Sequence, residues 1–101
     1  MAAINLTELT RDEVRNLAGH DRGLKAREHF GLDKLDQGNE SVDVVLPDNF
    51  RAVSPSFFQG MFAESVHHFG TAMAFFEHYH FDAPAHVRSR LIEYAEQVAG
   101  R

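Results

Sequence analysis

Between Ser54 and Gly70 the chain spells out one helix with its start, its buried face and its stop. Ser54 stands where an N-cap belongs. Pro55 occupies the first helical position, where a missing amide proton costs nothing. Phe58, Met61, Phe62, Ser65 and Phe69 then recur at three and four residues, and Phe57 widens the stripe. A helix this apolar must be covered over most of its circumference by the rest of the chain. That chain has 101 residues, 44% of them hydrophobic and 25% charged. It is enough for one domain with one core and too short for a second.

The remaining elements are placed by punctuation. Thr10-Arg-Asp-Glu13 has the form of a capping box, and Val14, Leu17 and Ala18 follow at helical spacing. A short strand over Ile4–Leu6 and this helix make up the N-terminal segment, residues 1–16. His20 to Phe30 reads as a second helix, with Asp21 as its cap and Gly31 as its stop. Gly23, Ala26 and Phe30 share one face of it, which predicts close packing against another element. Asp36-Gln-Gly-Asn-Glu40 is turn chemistry. Ser41-Val-Asp-Val-Val-Leu-Pro47 is a β-branched run between breakers and reads as a strand, with Val42, Val44 and Leu46 facing one way. Pro47 to Phe50 is a loop. Ala72-Met-Ala-Phe-Phe76 is a continuous apolar run of strand length, so a second sheet strand is expected over 71–77. Asp82 is the expected cap of the last helix, whose core face is Val87, Leu91, Tyr94, Ala95 and Val98. Strand, helix, strand, helix is the order of a parallel α/β layer. The expected fold is a single small α/β domain, residues 1–101, with helices packed against its sheet.

Composition removes several function classes. The net charge is −5 with neutral histidine, which argues against a phosphate-neutralising nucleic-acid binder and a polybasic membrane anchor. Cysteine is absent, so disulfides, zinc–thiolate sites and cysteine nucleophiles are excluded. No apolar run approaches the roughly 20 residues of a membrane span, and no secretory signal is visible, so the expected place is the cytoplasm. Phosphate-loop, dinucleotide-binding and nucleophile-elbow motifs are missing. No enzyme activity and no cofactor are therefore expected.

The segment Val53-Ser-Pro-Ser-Phe-Phe-Gln-Gly-Met-Phe62 lies between a strand and a helix. Together with the arginine-and-glycine-bearing helix Arg22-Gly-Leu-Lys-Ala-Arg27, it resembles the STAS-like family of bacterial domains, related to the STAS domains of sulphate transporters and anti-sigma factor antagonists. The resemblance covers Leu17 to Val98 in outline. It implies a STAS-like sheet with helices packed against it, and regulation through contact with a protein partner. In the antagonists a partner kinase phosphorylates a serine at the start of such a helix. The antagonist motif carries an acidic residue and a glycine that this chain lacks, so Ser54 and Ser56 match by position alone.

Five residues form the expected partner- or phosphate-binding set: Ser54, Ser56, Arg22, Lys25 and Arg27. A helix N-terminus favours negative charge, and Arg22, Lys25 and His29 share a helix face. A regulatory protein partner is the first expectation, with a kinase acting on the serines. A small anion or nucleotide is the second. The same residues also suit a plain cap and a solvated helix face. The third expectation is metal binding by His78 and His80, which an extended segment places on one side. Seven histidines carry a further consequence: full protonation moves the formal charge from −5 to +2, so electrostatics change between about pH 7 and pH 5. The oligomeric state has no signal in the sequence.

Overall fold

The computed structural model describes residues 2–10, 16–46 and 51–100. In chain order they form β1 (Ala2–Asn5), α1 (Thr7–Thr10), β2 (Asn16–Leu17), α2 (His20–Phe30), α3 (Leu32–Gln37), β3 (Val42–Val45), β4 (Ala52–Val53), α4 (Pro55–Phe69), α5 (Ala72–His78), β5 (Tyr79–Asp82) and α6 (Ala85–Ala99). β1, β3 and β5 make a parallel three-stranded sheet in the order β1-β3-β5, and β2 and β4 make a separate parallel pair. The architecture is mixed α/β around one core.

The parallel sheet follows from the β-branched run. Val42 and Val44 are fully buried and Leu46 nearly so, while Asp43 and Val45 are half-buried, the alternation of a strand with one face on the core. Ala2 to Asn5 align with Val42 to Val45 on one side, and Tyr79 to Asp82 align with the same residues on the other.

α4 lies at the centre. Phe57, Phe58, Met61, Phe62, Ser65 and Val66 are all buried, and the helix packs against α2, α3, α5 and α6. The Phe62 ring stands 5.3 Å from that of Phe81 and 5.8 Å from that of Tyr79, which joins the helix to the sheet. The expected boundaries hold here: Ser54 Oγ accepts from the Phe57 amide at 3.1 Å, Pro55 begins the helix and Gly70 ends it.

Several expectations are corrected. Residues 72–76 are not a strand. Thr71 Oγ1 caps a helix by accepting from the Ala74 amide at 3.0 Å, and only residues from Tyr79 onward pair with β3. Ala72, Met73 and Ala74 suit a helix, and an apolar run this short has no periodicity that separates the two states. Asp36 is not in a turn but in α3, whose Leu32, Leu35 and Asp36 turn inward. Leu17 is not helical: it pairs with Val53, and Gly19 begins α2 afresh with φ of 98°. Asp21 therefore lies inside the first turn of α2, and no side chain caps that helix. Asp82 is the last residue of β5, and Pro84 is the N-cap of α6, accepting at its carbonyl from the Val87 and Arg88 amides. Thr10, expected to cap a following helix, is instead the last residue of α1, and the rest of the capping box to Glu13, Val14 and the loop Pro47 to Phe50 lie outside the described residues.

Candidate functional site

Two strand-to-helix turns lie side by side. β2 leads through Gly19 into α2, and β4 leads through Ser54 into α4. The pairing of Leu17 with Val53 continues one step further, as the Ser54 amide donates to the Leu17 carbonyl at 2.8 Å. The two helices cross at Gly23 and Gly60: Gly23 meets Phe57 and Gly60, and the long side chain of Arg27 reaches Met61 and Ser65.

Arg22, Lys25 and His29 line a pocket of about 260 Å3 there, floored by Leu17, Ala26 and Phe57. Phe57 belongs to the first turn of α4, so the basic face of α2 abuts the helix start that carries the serines. Ser56 is exposed and Ser54 half-buried. Their hydroxyl oxygens are 3.1 Å apart, so one donates to the other. His29 Nε2 lies 3.5 Å from Glu8 Oε1. Arg22 and Lys25 thus share a pocket with Phe57, while Ser54 and Ser56 do not line it.

Arg27 does not line it either. Its side chain is 8% exposed and turned into the protein, away from Arg22 and Lys25. Its guanidinium donates to Asp36 Oδ2 at 2.7 Å, Asp33 Oδ1 at 2.8 Å, the Met61 carbonyl at 2.9 Å and Ser65 Oγ at 2.8 Å. Asp36 in turn accepts from Ser65 Oγ at 2.7 Å and from the Tyr79 hydroxyl at 2.5 Å. One buried charge pair thereby ties α2, α3, α4 and β5 together, and every buried side-chain nitrogen and oxygen among the described residues is partnered. Burial opposes the charge on Arg27, but the hydrogen bonds and charges of Asp36 and Asp33 outweigh it and raise its pKa. Burial, then the hydrogen bond to Asp36 and its charge, push the Tyr79 hydroxyl far above its ordinary value of 10.0.

Sequence reasoning missed this network, yet one signal for it is present. Ser65 occupies a core position in an otherwise apolar stripe, and a buried hydroxyl demands partners. Which partners it finds depends on residues 29 and 38 positions away.

The histidines do not converge. His78 ends α5 and His80 lies in β5, so the two do not share one side of a strand. His78 Nε2 contacts the Leu35 carbonyl at 2.8 Å, His80 Nε2 the Glu77 carbonyl at 2.9 Å, and His86 Nε2 the Arg51 carbonyl at 3.2 Å. Among the described residues no group of three or more His, Cys, Asp or Glu side chains is arranged to hold a metal ion. No described helix is long and apolar enough to cross a membrane. No protein-family model, no curated protein and no solved structure matches this chain.

Proposed function

We propose that this chain is a non-catalytic regulatory module that binds a protein partner through the face formed by Arg22, Lys25, Ser54 and Ser56. The observation that carries the reading is the pocket that the exposed Arg22, Lys25 and His29 form with Phe57, a residue in the first turn of the helix that Ser54 caps. Such a face suits an acidic segment of a partner, because cations and free helix amides both favour negative charge. A phosphate added at Ser56 would bring close to two negative charges into this face and invert what it attracts. The STAS-like reading of the fold belongs to the same proposal. It is supported by the parallel sheet and by the strand leading into the Ser54 helix start. One feature departs from the antagonist pattern: the strand before Ser54 is β4, which pairs with β2 outside the three-stranded sheet.

The test is capture of partners from the native cell with the full chain and with Arg22→Glu/Lys25→Glu. A specific partner held by the wild type and lost by the variant is the expected result. A partner set unchanged by both reversals and by Ser56→Asp overturns the reading.

A second reading is favoured by the size of the same pocket. About 260 Å3 accommodates a small anion such as a phosphate-bearing metabolite. A ligand at a hundred times its Kd raises stability by about 2.7 kcal/mol, so melting curves across a nucleotide and metabolite panel decide it. A flat response across the panel rejects it.

A further inference from the structure

On the opposite side of α4 from α2, a groove of about 480 Å3 runs between α5, β5 and α6. Met73 is 74% exposed and Ile92 40% exposed, so two of the three exposed large apolar side chains among the described residues line it. Tyr79, His80 and Phe81 also line it. They come from both faces of β5, so the groove follows the free edge of a strand that pairs only with β3. Water-exposed apolar surface along an open strand edge is the usual mark of an association surface.

The charges on α6 say what covers it. Arg88, Ile92 and Glu96 all line the groove, at i, i+4 and i+8 along one helix face. Arg88 and Glu96 lie about 12 Å apart along the helix axis, too far to pair with each other. Among the described residues neither has an ion-pair partner, and Arg88 spends one N–H on the Ala83 carbonyl at 3.3 Å. The arrangement is complementary to its own reverse. A two-fold axis through Ile92 sets a second α6 antiparallel to the first, with each Arg88 opposite the other copy's Glu96.

The geometry points to a second copy of this chain as the occupant of the groove, in a two-fold dimer centred on Ile92. Each protomer places Met73 against the other's groove, and the two together form two reciprocal Arg88–Glu96 pairs. The groove shares no lining residue with the basic pocket, so the dimer leaves that pocket open.

Sedimentation of the full chain tests it, with circular dichroism to show that each variant folds. The wild type is expected at twice the 11.4 kDa chain mass. Arg88→Glu and Glu96→Arg each place like charges together twice, and each should raise the dimer Kd about tenfold or more. Mixing the two single variants in equal amounts should restore the dimer, because a chain acidic at both positions then faces a chain basic at both. Ile92→Asp, at an exposed position, should give a folded monomer. A wild type that stays monomeric up to about 1 mM overturns the proposal and leaves the groove to a different protein. So does a dimer that survives both charge reversals, or two monomeric variants whose mixture fails to dimerise.

Discussion

Gly23 and Gly60 meet where α2 crosses α4, with backbone against backbone. A Cβ on Gly23 would stand 2.3 Å from the Phe57 carbonyl oxygen, and one on Gly60 would stand 2.2 Å from the His20 carbonyl oxygen. Neither oxygen can swing aside, since each belongs to a helix. The crossing sets Phe57 of α4 beside Arg22, Lys25 and His29 of α2, and so forms the basic pocket.

Gly23→Ala and Gly60→Ala therefore set two effects against each other. Alanine gains about 1 kcal/mol of helix propensity over glycine. Forcing the helices apart costs about 1–3 kcal/mol or more, and here the clash is with backbone. Because the clash is with backbone, its cost lies at the upper end of that range, and each variant is expected to be destabilised by about 2 kcal/mol in urea unfolding. A midpoint equal to or above that of the wild type would show that the helices separate freely.

Asp36→Ala removes the acceptor for Arg27, Ser65 and Tyr79 and leaves a buried guanidinium short of its counter-charge. The expected loss is about 3–5 kcal/mol. Arg27→Met/Asp36→Leu removes both charges and should cost less than Asp36→Ala alone, despite carrying two substitutions. Equal or greater loss in the double variant would mean that the charge pair itself, and not its balance, holds the four elements together.

The Tyr79 hydroxyl gives a pH dependence with a definite sign. Its pKa is raised in the folded state above the ordinary 10.0, chiefly by burial and then by Asp36. Unfolding therefore releases a group that ionises more readily. Its contribution is fully present below about pH 10 and is lost as the pH rises above that value. Stability should fall above pH 10 in the wild type and fall less steeply in Tyr79→Phe. Parallel curves measured by chemical denaturation between pH 8 and about pH 11 would refute the assignment.

Ser54 and Ser56 should behave differently despite their proximity. Ser54→Ala loses the oxygen that accepts from the Phe57 amide, at about 1 kcal/mol, whereas Ser54→Gly loses only a few tenths. Ser56→Ala leaves the cap intact and should change stability by less than about 0.5 kcal/mol. If a kinase acts on this helix start, Ser56 is the better acceptor, because it is exposed and its modification spares the cap. Mass spectrometry after incubation with the partner kinase reads the site directly, and phosphate on Ser54 alone would reverse the assignment.

The sequence by itself determined the elements whose signals are local. Ser54, Pro55 and Gly70 bound α4 because a cap, a fixed φ and a stop act within a few residues. Val42 to Leu46 declare a strand through β-branching and alternation, and Gly31 ends α2 in the left-handed conformation. Gly23 at a predicted packing face already pointed to a close crossing. Only tertiary structure decided the rest. The run from Ala72 to Phe76 is equally apolar in either state, and the Thr71 cap together with the pairing of Tyr79 to Asp82 with β3 made it a helix followed by a strand. Arg27 belongs by sequence to the basic set with Arg22 and Lys25, and Asp36 to a turn. They pair inside the protein because helix periodicity aims both inward, where a charge without its partner is not tolerated. Their contacts with Ser65 and Tyr79 span 29 to 43 residues, a range over which no local pattern carries information.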